Sequence, residues 1–349
     1  MSSTSTQPNS VRTSIVGASG YTGEELCKVL LKHPYSQLKV VTSRQRAGKQ
    51  LSEEISGLHG KTDLLFSNPT PQDLAGLADV FFLALPHGVA SEYAVPLFQA
   101  GKIVIDLSAD FRLKSPEVYQ EFYQHPHPAP ALLKESIYAL PELHRKEIRS
   151  KSLLASPGCY PTSIILALFP ALKNQLLQTD SIVVNSLSGV SGAGKKVEES
   201  LLFCEVNETA KAYGVPRHRH LSEIEQELSL MAGNTVKITF IPHLIPLHRG
   251  MWSSITCKLS QSKSIEDIYA LYQSTYANEP FVRVLPLDKM PDMRNVVRSN
   301  RIEIGLRWDA RTERLMIFST IDNLGKGAAT QAIQSFNIRL GFPETTGLE

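Results

Sequence analysis

A short apolar run, Arg12–Val16, leads straight into Gly17-Ala18-Ser19-Gly20-Tyr21-Thr22-Gly23. Apolar residues then return at helical spacing from Glu24 to His33, at Leu26, Val29 and Leu30. A glycine-rich turn between a first strand and a first helix constrains the fold strongly, because it suits a parallel α/β sheet whose helix N-terminus faces a phosphate. The spacing is G-x-x-G-x-x-G rather than G-x-G-x-x-G, so its strand–helix setting carries the inference. Gly17, Ser19, Gly20, Tyr21, Thr22 and Gly23 are therefore expected to cradle a dinucleotide. The competing reading is a structural turn in another α/β protein.

Further strands extend this pattern. Leu38–Thr42 reads as the second strand, and an NAD-binding chain would place an acid at its end. This chain has Ser43, Arg44, Arg46 and Lys49 there. A hydroxyl and cations suit a 2′-phosphate, so NADP(H) is the expected cofactor, with Ser43 and Arg44 as contacts; a plain solvated loop is the alternative. Asp79–Leu85 is another strand, ending in Pro86-His87-Gly88, where a doubly wound sheet borders its ligand. Lys102–Leu107 ends in Ser108-Ala109-Asp110-Phe111-Arg112. Arg112 there would either clamp an anion or pair with Asp110 or a neighbouring acid. Pro116–Leu143 reads as irregular. Its His125-Pro126-His127-Pro128 lacks an acid or cysteine at metal-ligand spacing, so no metal is expected.

The chemistry centres on Ser156-Pro157-Gly158-Cys159-Tyr160-Pro161-Thr162. A short strand, Ser152–Ala155, precedes it, and the apolar Ser163–Leu172 follows as a core helix. Cys159 thus falls at a helix start, where first-turn N–H groups and the helix dipole favour a thiolate. A small buried hydrophobe is the ordinary alternative for a cysteine. Downstream, Ser181–Leu187 leads into Ser188-Gly189-Val190-Ser191-Gly192-Ala193-Gly194-Lys195-Lys196, which lacks P-loop spacing and reads as a mobile backbone wall over a ligand. Arg217-His218-Arg219-His220 gathers groups fit for an anionic substrate and an acid/base; the alternative is a solvated helix start. Thr235–Ile241 and Trp252–Leu259 read as neighbouring strands flanking a loop with Arg249. Ser264–Tyr276 reads as an amphipathic helix. Arg301–Trp308 and Glu313–Ile321 read as a hairpin, and Asn323 as the cap of a closing helix that runs to Leu340.

Composition narrows the classes. The 349 residues suffice for about two domains, and 36 basic against 34 acidic residues give no case for nucleic acid or a membrane surface. Cys27, Cys159, Cys204 and Cys257 are widely spaced, which fits a reducing, cytoplasmic-type setting without a cysteine zinc site. No apolar run reaches membrane-spanning length. Met1–Ser10 is polar and reads as a disordered tail. The expected division is a Rossmann-type NADP-binding domain over 11–156 plus 322–349, and an α+β substrate and oligomerisation domain over 157–321. A dinucleotide fold, a thiolate and a His/Arg cluster together define reduction of an acyl group through a thioester.

The chain also resembles the N-acetyl-γ-glutamyl-phosphate reductases, the arginine-biosynthesis branch of the semialdehyde dehydrogenase group. The likeness runs from Ser14 to Leu348 on G-A-S-G-Y-T-G (17–23), S-A-D-F-R (108–112), S-P-G-C-Y-P-T (156–162), S-G-V-S-G-A-G-K (188–195), H-R-H-L-S-E-I (218–224) and D-N-L-G-K-G-A-A (322–329). It implies NADPH-dependent reduction of N-acetyl-glutamyl 5-phosphate to the 5-semialdehyde, with release of phosphate and Cys159 as nucleophile. His218 and His220 would divide acid/base and orienting roles, in an order left open. Asn323, with Ser188 and Gly189, would lie near the cofactor, and Arg112, Arg219 and Arg249 near the substrate's phosphate or carboxylate. A homodimer or homotetramer is implied. Ser222 stands where the family usually has proline, and Thr330 where it usually has glycine. Rival readings are a reductase of a carrier-linked acyl phosphate one methylene longer, from lysine biosynthesis; aspartate-semialdehyde dehydrogenase, whose acid/base histidine lies elsewhere; and a non-catalytic NADP-binding regulator.

Overall fold

The computed structural model describes residues 10–349; the tail expected over Met1–Ser10 lies, apart from Ser10, outside them. The chain forms two compact units. One runs to Arg112 and takes in Pro128–Ser156 and Ala332–Glu349; the other holds Leu113–His127 and Pro157–Gln331. Residues 322–331 therefore belong with the second unit, not with the nucleotide-binding domain as expected. The reason is local: the Asp322 carboxylate is fastened to Arg249.

In the first unit, strands β1 (Val11–Val16), β2 (Ser36–Thr42), β3 (Phe66–Ser67), β4 (Val80–Leu83), β5 (Ile103–Asp106), β6 (Ser136–Tyr138) and β7 (Leu153–Ala155) make one sheet. Its order is β3-β2-β1-β4-β5-β7-β6, and every pairing is parallel. All four residues of β4 are buried, as expected of a parallel strand covered on both faces. The strand order reverses between β1 and β4, so the turns after these strands flank the crevice where such sheets take a ligand. The Ala332–Leu340 stretch is bound within this unit, its Arg339 Nε donating to Lys151 O at 2.6 Å.

The second unit carries β8 (Val183–Gly189), β9 (Lys211–Ala212), β10 (Thr239–Ile245), β11 (Met251–Cys257), β12 (Val282–Val284), β13 (Ile302–Asp309) and β14 (Arg314–Ile321). They form a mixed sheet of order β12-β13-β14-β11-β8-β10-β9. The expected hairpin is β13–β14, paired antiparallel. β10 and β11 are not neighbours as expected, because β8 lies between them. The buried helix Cys159–Lys173 lies against this sheet, its Ser163 hydroxyl meeting Ser253 and Ser319 at 3.0 and 2.8 Å. Tyr272 of the amphipathic helix Ile265–Tyr276 donates to Ala167 O at 2.7 Å. Each such bond contributes about 1 kcal/mol.

Pro116–Leu143 is more regular than expected. Pro116–Tyr123 is a helix capped by Ser115, whose hydroxyl accepts from Val118 N at 3.1 Å, and a second helix, Pro141–Ser150, starts within the same stretch. A serine cap followed by proline at the first helical position was the overlooked signal.

Candidate active site

The turn after β1 is shaped by backbone proximity. Gly17 has φ +90°, and a Cβ there would meet Ala84 O at 2.4 Å; one on Gly23 would meet Gly17 O at 2.5 Å. The helix Tyr21–Leu30 starts directly after Gly20, which makes no side-chain cap bond to its first turn. Ser19 and Ser43 hydroxyls meet at 3.0 Å. Arg44 is exposed, with Tyr93 beside it and a loose contact at 3.3 Å to the similarly exposed Glu92. Such a surface pair is weak and yields readily to a phosphate. A nucleotide carrying a 2′-phosphate fits this set: backbone without Cβ, a helix start without a side-chain cap, two hydroxyls and a cation.

The S-A-D-F-R segment ties strand ends together. Asp110 is fully buried and accepts from Gly88 N at 2.6 Å, Ser91 N at 3.1 Å and Ser91 Oγ at 2.8 Å. Asp106 accepts from Ser108 N and Oγ at 2.9 and 2.8 Å; burial, and after it the charge of Asp110, push it up to about 7. Arg112 is buried, donating to Ser156 O at 2.8 Å and Leu107 O at 2.9 Å. Its observed work is to brace strand ends rather than to present an open anion clamp.

Within the second unit, Cys159 is the first residue of its helix, is partly exposed and is in no disulfide. Gly158 precedes it in extended conformation. Its N–H donates to the buried Glu223 carboxylate at 2.9 Å, and its carbonyl accepts from Thr162 N and Thr162 Oγ1, both at 3.0 Å. Glu223 belongs to H-R-H-L-S-E-I, and no role is expected of it from the sequence; its place on the helix His220–Ala232, three residues after His220, is the signal for one. The wide turn Gly325–Ala329 packs on the nucleophile: a Cβ on Gly327 would lie 2.7 Å from Cys159 Cβ.

The H-R-H cluster lies beside two tyrosines. Tyr160 and Tyr213 share a hydroxyl contact of 2.9 Å, and the His218 ring stands edge-on to Tyr160, Tyr213 and His220 at 5.4, 5.4 and 5.0 Å. Burial drives Tyr160 well above its ordinary range and Tyr213 up to about 12, so both stay protonated donors at neutral pH. Burial, with a lesser push from Arg219, lowers His218 to about 4. Its Nδ1 accepts from His220 N at 3.1 Å, which places the proton of the neutral ring on Nε2. Arg219 is exposed, with its guanidinium 6.0 Å from the Tyr123 ring. Ser222, in place of proline, donates to Arg219 O at 2.9 Å within the first turn.

A lowered histidine destabilises the fold in acid. The unfolded chain takes up the proton near pH 6.5 and the folded chain only near 4, so stability falls as pH drops through that window and levels off below it. The His218 contribution amounts to about 3 kcal/mol. Urea unfolding of a His218→Gln variant is expected to show an acid loss smaller by that amount; parallel losses in both proteins would contradict it.

Asn323 does not cap the closing helix. Its Oδ1 accepts from Gly250 N at 2.7 Å and its Nδ2 donates to Ser191 Oγ at 3.0 Å. Asp322 performs the capping, accepting from Leu324 N and Gly325 N at 2.9 and 3.2 Å. The same carboxylate binds Arg249 at 2.8 Å in a pair with almost no exposure, so Arg249 is held by the fold instead of being offered to an anion. Ser188 and Gly189 end β8, and the loop beyond is pinned at first, Val190 N to Leu247 O at 2.8 Å and Ser191 N to His248 O at 3.0 Å. The expected mobile wall is thus fastened through Ser191. Thr330, in place of glycine, donates to Asn300 at 2.7 Å.

A parallel nucleotide-binding sheet and a mixed-sheet unit with a cysteine at the first position of its buried helix define the semialdehyde dehydrogenase class. Residues 12–151 match the family described as semialdehyde dehydrogenase, NAD binding domain, and residues 159–323 the semialdehyde dehydrogenase, dimerisation domain. Aspartate semialdehyde dehydrogenase II from Vibrio cholerae shares the fold at a TM-score of 0.74 and 17% identity, over 95% of this chain and 98% of that one. An NADP complex of the aspartate semialdehyde dehydrogenase from Candida albicans matches at 0.66 and 16%, over 95% and 98%. Among sequences, the N-acetyl-gamma-glutamyl-phosphate reductase of Akkermansia muciniphila is 50% identical over 97% of this chain and 98% of its own. That of Desulfotalea psychrophila is 49% identical over 97% and 98%. The chain belongs to the N-acetyl-γ-glutamyl-phosphate reductase family.

Proposed function

We propose that this chain reduces N-acetyl-L-glutamyl 5-phosphate to N-acetyl-L-glutamate 5-semialdehyde with NADPH, releasing phosphate, in arginine biosynthesis. The observation that carries the reading is Cys159 at the first position of a buried helix, in a chain 50% identical to a reductase of that name. The Cys159 thiolate attacks the acyl carbon, and phosphate leaves to give a thioester. Bound NADPH supplies the hydride that reduces it. The thiohemiacetal oxyanion left on Cys159 collapses to aldehyde and thiolate, and the one proton consumed overall goes to the departing phosphate. His220 is assigned the proton transfers, because His218 is held neutral with its Nδ1 occupied. His218 Nε2–H and the tyrosine hydroxyls then serve as donors that orient substrate.

Gly17, Ser19, Gly20, Tyr21, Thr22, Gly23, Ser43, Arg44 and the Pro86-His87-Gly88 turn are assigned to the nucleotide, with Ser188, Gly189 and Asn323 near it. Of the three arginines, Arg219 is the one assigned to the substrate's charges, since Arg112 and Arg249 are engaged inside the fold. NADPH formation from N-acetylglutamate semialdehyde, NADP and phosphate tests the reading. Turnover only of a carrier-linked substrate one methylene longer would overturn it, and cofactor binding without turnover of either would point to a regulator.

A homodimer is proposed to form on the outer face of the second unit's sheet. Along β11 buried residues alternate with Trp252, Ser254 and Thr256, which stay partly exposed. Trp252 lies opposite Leu187 and near Phe318, with ring centroids 5.5 Å apart. Trp252→Glu is expected to sediment as a monomer where the parent is a dimer; an unchanged dimer would contradict this face. Among the described residues no helix is long and apolar enough to cross a membrane. The cytoplasm is the proposed location, supported by four cysteines of which none forms a disulfide.

A further inference from the structure

We propose that Asp110 is a positioning residue for NADPH, holding the Pro86-His87-Gly88 turn in the shape that receives the cofactor. The inference rests on the reading above that this turn faces the nucleotide. The helix that follows the turn, Ala90–Gln99, has Val89 at its cap, a residue with no side-chain acceptor for the first-turn N–H groups. Asp110 supplies that acceptor from the segment after β5. Its Oδ1 takes Gly88 N at 2.6 Å, while its Oδ2 takes Ser91 N at 3.1 Å and Ser91 Oγ at 2.8 Å. One carboxylate thereby spans the turn and the helix start, and Gly88 between them has φ +81°.

The clamp is itself anchored. Asp110 N donates to Ser108 Oγ at 3.1 Å, and the Ser108 hydroxyl donates to Asp106 at 2.8 Å. The carboxylate is fully buried, so it cannot touch a ligand from solvent; it acts through the backbone it holds. A neutral amide would set an NH2 against N–H donors on one side and release either the turn or the helix start.

NADPH titration and steady-state kinetics of Asp110→Asn, Ser91→Ala and Gly88→Val test this. Asp110→Asn is expected to raise Kd and KM for NADPH about tenfold, as loss of a charge-assisted hydrogen bond would. With saturating NADPH its kcat should stay within about twofold and its KM for the acyl substrate unchanged, a split that a general loss of stability does not give. Ser91→Ala removes one donor only and should shift KM for NADPH in the same direction by about threefold, so the test survives poor folding of the first variant. If Gly88→Val weakens NADPH binding while both clamp variants do not, the proposal fails and the turn's role stands. If none of the three alters NADPH binding, the turn does not face the nucleotide, and the proposal falls with that reading. A fall in kcat at unchanged KM for NADPH would also overturn it.

Discussion

Cys159→Ser is expected to abolish phosphate-dependent NADPH formation, with kcat down by at least about 10⁴-fold, while NADPH still binds. The serine hydroxyl is close in size to the thiol and would keep the helix start, with Gly158 still tied to Glu223 at 2.9 Å. What it lacks is an ionised nucleophile, because the first-turn N–H groups that favour a thiolate cannot bring an alkoxide into the neutral range. The variant therefore separates chemistry from architecture. Iodoacetamide labelling gives a companion result: Cys159 is partly exposed and Cys204 exposed, whereas Cys27 and Cys257 are buried, with burial raising the first well above its usual value and the second to about 12. Label is therefore expected on Cys159 and Cys204, and phosphate is expected to spare only the former. Activity surviving in the serine variant would exclude the covalent route.

Gly327→Ala should be nearly as damaging. The added methyl would sit 2.7 Å from Cys159 Cβ, 3.1 Å from its Cα and 3.2 Å from the Asp322 carbonyl oxygen. Backbone has to move, since no flexible side-chain end lies there to yield. The turn is not free to retreat either, as Gly327 N bonds Asp322 O at 2.9 Å and Asp322 is held by Arg249 at 2.8 Å. The displacement then falls on the nucleophile, and an error approaching 1 Å costs about 10²-fold in rate. We expect kcat/KM to fall by about that factor with NADPH affinity retained. A variant within twofold of the parent would show that Cys159 tolerates movement and that the close approach is incidental.

Part of the site is readable from local spacing alone. The Gly17–Gly23 turn and the Cys159 helix start are encoded by adjacent residues, so local spacing was enough to find them. The tie between Arg249 and Asp322 joins residues 73 positions apart, and nothing in either segment names the other. Without that partner Arg249 looked like a substrate clamp, and Asn323 like a cap that Asp322 in fact provides. The separation of β10 from β11 by β8 was equally hidden, because strand order depends on how the His220–Ala232 helix crosses between β8 and β10 rather than on either strand's pattern. The enclosure of His218 was hidden as well, because Tyr160, which packs on it beside the nearby Tyr213, comes from the distant Cys159–Lys173 helix. The helix after Ser115, by contrast, was legible and was missed.

The central claim is that Cys159 carries the acyl group. Its most direct test is intact and peptide mass analysis after rapid mixing of the protein with N-acetyl-glutamyl 5-phosphate in the absence of NADPH. The account predicts one acyl adduct per chain, confined to the peptide with Cys159 and discharged when NADPH is added. Phosphate release without any adduct on that peptide, followed by normal reduction, would contradict it.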